Sequence, residues 1–182
     1  MATTYPITYP TNARLQPRNI DFVNKTLTSK FQSSFSGQTQ VHRYGGQWFE
    51  LNVTLPPLFQ TDAEEMTAFL NRLGGNYGTF LFKLPTKFMM TGSPISVTTD
   101  TTGNEFTTGA TIQVGKYAYD ATDKRLVQFT SATSLFPKLT PSVAHTINTT
   151  DGVKMRLASS EVAYNVNEMM MYGVVIPMIE AI

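Results

Sequence analysis

Apolar and polar residues alternate over two stretches in the first third of the chain. Residues 31–41 place Phe31, Ser33, Phe35, Gly37, Thr39 and Val41 on one side of an extended segment. Residues 48–55 place Phe49, Leu51, Val53 and Leu55 on one side, against Glu50, Asn52 and Thr54. A period of two is the pattern of a strand with one covered face. Tyr44-Gly45-Gly46-Gln47 between them predicts a tight hairpin turn, because glycine tolerates positive φ, and Pro56-Pro57 ends the second strand.

The period then changes. Met66, Phe69, Leu70 and Leu73 recur at i, i+3, i+4 and i+7, the apolar stripe of a helix over residues 61–73. Thr61 with Glu64 three positions on predicts a capping box, and Gly74-Gly75 a left-handed stop. Residues 79–84 return to a strand, with Phe80 and Phe82 on one side and Pro85 closing it.

From residue 90 to 160 the predicted strands are short: 95–98, 110–114, 117–119, 126–130, 144–147 and 153–157. Turn residues separate them at Asp100-Thr101-Thr102-Gly103, Gly115 and Asp120-Ala121-Thr122-Asp123. Asp151-Gly152 is the strongest hairpin signal. Short strands with almost no helix imply a small barrel or sandwich. Residues 173–179 resume long-strand character and complete the first sheet. Residues 1–20 read as an extended arm, since Tyr5-Pro6, Tyr9-Pro10 and Pro17 each restrain the backbone to extended geometry. The expected protein is therefore mainly β, a barrel or sandwich with one packed α-helix. Its core spans residues 21–90 and 161–182, with a small all-β inserted domain at 91–160.

Composition narrows what such a fold does. Charged residues make up 15% of the chain, against about 25% in an ordinary soluble domain. Fourteen Lys and Arg nearly cancel thirteen Asp and Glu, and no basic cluster marks a nucleic-acid binder. Nothing in the sequence is apolar for long enough to form a spanning helix, and Met1 to Pro6 lacks the features of a secretory signal. The absence of cysteine excludes disulfides and thiolate chemistry. A surface this poor in charge favours association, so a homo-oligomer is expected.

Candidate chemistry is sparse. His42 and His145 lie far apart without ligand spacing, and both read as ordinary exposed histidines. Glu64 and Glu65 suit the first turn of a helix. Asp120 and Asp123 flank a turn; a calcium site there lacks alternating acidic ligands, so turn formation is preferred. Glu50 with Glu105 or Glu161 is a conceivable hydrolase pair without motif support. Gly74-Gly75-Asn76-Tyr77-Gly78 follows a helix, where a phosphate loop would precede one. Trp48, with Tyr44 and Phe49 nearby, is the best candidate for a sugar-stacking platform, although a lone Trp on a strand more often packs the sheet. No catalytic, cofactor or metal residue is assigned, and no cofactor is expected. The candidate interface residues are Tyr5, Pro6, Tyr9 and Pro10 of the arm and the adaptable run Met169-Met170-Met171, for which core packing is the stronger reading.

One order of features resembles a known family. Tyr44-Gly45-Gly46-Gln47-Trp48, then Pro56-Pro57, then the helix from Ala63 through Phe69-Leu70 to Gly74-Gly75, then Gly78-Thr79-Phe80, is similar to a block in minor tail proteins of long-tailed bacteriophages. Gly109 to Gly115, Leu126-Val127, Phe136-Pro137-Lys138-Leu139 and residues 153–157 extend the resemblance over roughly 30–160. Ala110 departs from the Asp often found there in the family. The resemblance implies a distal-tail-like virion protein at the end of the tail, a ring commonly of six copies that joins the tail tube to the baseplate or host-binding tip. It implies a structural role without enzymatic turnover, with tail-tube, hub or other tail-tip proteins as partners, no sequence-specific nucleic acid and no membrane insertion. The competing expectation is a carbohydrate-binding adhesin module at the tip.

Overall fold

Residues 48–55 form the strand that their alternation predicts, and Phe49, Leu51, Val53 and Leu55 are all buried. Each such side chain contributes about 1.5–3 kcal/mol on leaving water, which fixes the face this strand turns inward. The computed structural model describes residues 4–92, 94–161, 164–166 (backbone only) and 172–182. In chain order the elements are β1 (Ile7–Thr8), β2 (Asn19–Gln32), β3 (Thr39–Thr54), α1 (Gln60–Leu73), β4 (Thr79–Phe82), β5 (Ile95–Thr99), β6 (Phe106–Thr107), β7 (Tyr117–Asp120), β8 (Arg125–Phe129), β9 (Leu135–Phe136), β10 (Ala144–Asn148), β11 (Val153–Leu157), β12 (Tyr164–Val166) and β13 (Tyr172–Glu180).

The protein is mainly β with one α-helix. Its first sheet, in the order β1-β4-β11-β13-β3-β2 with β12 on β13, is nearly closed and barrel-like. The second sheet runs β6-β5-β10-β7-β8-β9. Met66, Phe69, Leu70 and Leu73 bury the predicted stripe of α1. Phe69 meets Phe80 and Tyr9 edge-on at 5.5 and 5.6 Å between ring centroids. Gly74 ends α1 in the left-handed conformation at φ 63°.

Several expectations change. The hairpin turn lies at Ser33–Gln38, not at Tyr44–Gln47, and Phe31, Phe35 and Val41 are exposed. Thr26 pairs with Gln47 and Thr28 with Arg43, so Tyr44, Gly45 and Gly46 stand opposite Leu27 alone. The glycines make a bulge, and Gly45 takes the positive φ (80°) that such a bulge uses. Phe59, not Thr61, is the N-cap of α1, and no side chain caps it. Residues 110–114 form no strand, and Phe106–Thr107 and Leu135–Phe136 pair where none was expected.

Asp151-Gly152 also does not join a hairpin. β10 pairs with β5 and β7 in the second sheet, whereas β11 inserts between β4 and β13 in the first. The glycine lets the crossing chain approach β4: a Cβ on Gly152 would stand 3.0 Å from the Phe82 carbonyl oxygen.

Residues 4–20 run against this chain's own barrel. β1 pairs in parallel with Phe80 and Leu81, Tyr9 and Leu15 are buried, and the Tyr9 hydroxyl donates to the Leu15 carbonyl at 3.0 Å. The two sheets meet along an aromatic seam, where Phe49 of β3 touches Tyr117 and Phe136 at 5.9 and 5.1 Å and Phe22 stacks on Tyr117 at 4.9 Å.

Candidate functional site

β13 covers β3 only from Glu50 to Thr54, so beyond that point β3 has β2 as its one partner among the described residues. The paired segment from Thr26 to Gln32 rises about 3.3 Å per residue, roughly 20 Å of two-stranded ribbon. Its side chains are uncovered: Leu27, Phe31, Val41 and Tyr44 are 50–62% exposed, and Phe35 at the tip is fully exposed.

The register separates two faces. Val23, Lys25, Leu27, Ser29 and Phe31 alternate onto one, together with Trp48 opposite Lys25, His42 opposite Ser29 and Gln40 opposite Phe31. Phe31 touches the His42 ring edge-on at 6.1 Å. Gly46 lies between Leu27 and Trp48: a Cβ there would meet both side chains at 3.4–3.7 Å. Lys30, Arg43 and Val41 occupy the opposite face. Lys25, Lys30 and Arg43 are the charged residues of 25–46, and that stretch has no Asp or Glu. The missing carboxylates, amid Ser, Thr and Gln, were the sequence signal for this surface; the strand alternation masked it.

Trp48 is half-buried and its indole donates to Glu50 at 3.2 Å, while Lys25 pairs with the same carboxylate at 3.4 Å. Glu50 is thus engaged on β3 of the first sheet, and Glu105 lies beside β6 of the second. Tyr5 is half-buried and donates to the Arg72 carbonyl at 2.9 Å; Pro6 is exposed and Pro10 half-buried. Ile7 and Tyr9 between them face the core, and burial raises the Tyr9 hydroxyl pKa well above the usual phenol range. Met169, Met170 and Met171 lie outside the described residues.

Two buried polar nodes hold the body. Asp120 of β7 accepts from the backbone amides of Thr122 and Asp123 at 3.1 and 2.8 Å, the turn expected there. Its Oδ2 also stands 3.0 Å from Nδ1 of His145, and His145 Nε2 stands 3.0 Å from the Thr140 carbonyl. His145 is fully buried, contrary to the exposed position expected, because β10 lies between β5 and β7. Asp120, Asp123 and His145 bring their ligand atoms within 4.8 Å of one another. Nε2, however, faces a carbonyl and therefore carries a proton, and Asp123 accepts from the Thr140 hydroxyl at 2.8 Å. The cluster pins the 140–145 segment to the β7–β8 turn.

The second node centres on Glu180 of β13. Its carboxylate accepts from the amides of Phe49 and Leu126 at 3.3 and 3.1 Å and from the Arg125 guanidinium at 3.3 Å. Arg125 also donates to the carbonyls of Lys138 and Gln47 at 2.6 and 2.7 Å. Residues from β3, β8, β13 and the 137–138 segment thus share one junction between the sheets.

Nearby, the Tyr119 hydroxyl accepts from the Leu84 amide, and burial pushes its pKa up to about 12. Among the described residues no helix is long and apolar enough to cross a membrane. No protein-family model and no curated protein matches this chain.

Proposed function

We propose that this chain is a structural subunit of the tail tip of a long-tailed bacteriophage, assembling as a ring of six copies between the tail tube and the host-binding tip. The observation that carries the reading is the projecting β2–β3 ribbon with its uncovered apolar side chains. An isolated two-stranded hairpin is at best marginally stable in water, so this one belongs against a partner. The barrel-like sheet with one helix and an additional sheet agrees with the architecture implied by the resemblance over residues 30–160. The polar clusters are engaged in structural hydrogen bonds, which suits a subunit that holds neighbours rather than one that turns over substrate.

Native mass measurement and electron microscopy of the purified chain test this reading. A closed ring is expected, and a monomer at micromolar concentration overturns it. A glycan array with Trp48→Ala as control addresses the adhesin alternative, because binding through that ring is lost with it.

A further inference from the structure

We infer that the buried pair of His145 and Asp120 holds one proton more than a neutral imidazole beside a carboxylate, and that this proton makes the segment from Thr140 to Val143 a pH-sensitive clasp. The inference is independent of the ring reading. His145 has an acceptor at each ring nitrogen. Nδ1 stands 3.0 Å from Oδ2 of Asp120, and Nε2 stands 3.0 Å from the Thr140 carbonyl oxygen. A neutral imidazole has one N–H and would turn a lone pair on one of these oxygens, whereas the imidazolium donates to both.

Burial makes the same demand. Neither side chain is exposed, and a carboxylate taken out of water needs a cation beside it. The cations of the adjoining turn and strand are committed elsewhere, Lys124 to Asp151 at 2.9 Å and Arg125 to Glu180 at 3.3 Å. The imidazolium is therefore the counter-charge of Asp120. The amides of Thr122 and Asp123 already donate to the two carboxylate oxygens, which favours the ionised carboxylate and leaves the shared proton on Nδ1. The remaining titratable groups on the surrounding elements have other surroundings. β5 carries none, and β10 carries His145 alone. Asp100, after β5, accepts from the Thr102 hydroxyl at 2.7 Å, and Asp123 of the β7–β8 turn accepts from the Thr140 hydroxyl at 2.8 Å. On β7, the Tyr119 hydroxyl accepts from the Leu84 amide and Tyr117 stacks on Phe22.

Loss of the proton costs one of the two contacts. The remaining N–H stays on Nδ1, toward the negative charge, and Nε2 then turns a lone pair on the Thr140 carbonyl. That carbonyl keeps the Thr99 hydroxyl at 2.8 Å, so the segment loosens at the ring while β5 and β10 stay paired. The folded state binds the proton, so the clasp is closed while the pair is protonated and loosens as pH rises.

Nuclear magnetic resonance of the wild-type chain with isotopically labelled histidine tests this, and the chain has two histidines. His42, exposed on the ribbon, is the internal reference. At a pH where His42 has one unprotonated ring nitrogen, His145 should show both nitrogens protonated. An unprotonated nitrogen on His145 at that pH overturns the inference. Asp120→Asn removes the counter-charge, and His145 should then lose its second proton no later than His42; retention of both protons would overturn the assignment to Asp120. Should that variant fail to fold, the wild-type spectrum decides alone. As pH is raised through the loss of the second proton, hydrogen exchange at Thr140, Ser142 and Val143 should accelerate severalfold beyond the rise shared by amides of the first sheet. An equal rise in both overturns the clasp.

Discussion

Glu180 and Arg125 form an ion pair at 3.3 Å with 0% and 12% of their side chains exposed, and it joins the last strand of the barrel to the second sheet. Removing one member of a buried pair leaves the other charged and unpaired, at a cost of about 3–5 kcal/mol. Glu180→Leu also strips the acceptor from the Phe49 and Leu126 amides. Urea denaturation should show a loss in that range, with Glu180→Gln milder because it retains an acceptor. A loss below about 1 kcal/mol for Glu180→Leu would remove the junction from the account of how the sheets are held.

His145 makes a narrower prediction. His145→Phe leaves the Thr140 carbonyl and Asp120 each short of a partner, which costs about 1–3 kcal/mol. Hydrogen exchange should rise first at Thr140–Val143 and in the β7–β8 turn, with the barrel amides little changed. Uniform acceleration across the chain would contradict a local clasp.

Gly78 allows no side chain. An added Cβ would collide with the Leu73 carbonyl oxygen, which accepts the Gly78 amide at 2.9 Å, and would meet the Tyr5 ring. Gly78→Ala should destabilise the protein by about 1–3 kcal/mol in chemical denaturation, the usual cost of overpacking. Gly109→Ala, where nothing lies within 4 Å, is the control and should be nearly neutral.

Alkaline titration follows from the tyrosines. Burial raises Tyr119 to about 12 and raises Tyr9 further, so both stay protonated in the folded chain after their unfolded counterparts ionise near 10. The unfolded state then binds fewer protons, and stability is full below about pH 10 and falls as pH rises toward 12. Tyr119→Phe should flatten this decline when stability is measured at several alkaline pH values. An equal slope in the variant would mean Tyr119 ionises freely in the fold.

Phe31→Ser and Leu27→Ser change the ribbon alone. Thermal unfolding of the body should shift little, since surface substitutions usually stay within about 0.5 kcal/mol. On the proposed ring reading, native mass should fall from a closed oligomer toward the monomer. An unchanged ring would show that the apolar face is dispensable for assembly.

Legibility in the sequence followed how local each signal was. The apolar stripe and Gly74 of α1 lie within one helix, and they predicted it apart from its first turn. Gly45-Gly46 has the same backbone freedom in a bulge as in a turn, so alternation could not place the hairpin tip. Asp151-Gly152 favours a tight reversal locally, but Val153–Leu157 finds partners in β4 and β13, far away in sequence. His145 gave no sign of burial, because its two partners come from another strand and from the segment before β10. The exposed ribbon was hidden for the same reason: Phe31 and Val41 look like core residues until it is known that, among the described residues, no third strand covers them.

The path of β11 bears on how the chain acquires its shape. Val153 pairs with Phe82, and every residue of the second sheet lies between them in sequence. On the ribosome the barrel therefore waits, its central gap open, until the entire second sheet has been made. Closing so distant a pairing is intrinsically slow, and the exposed edges of β4 and β3 are then vulnerable to pairing with another chain. The chain thus passes through an interval in which its interior edges must be kept from pairing with the wrong strand.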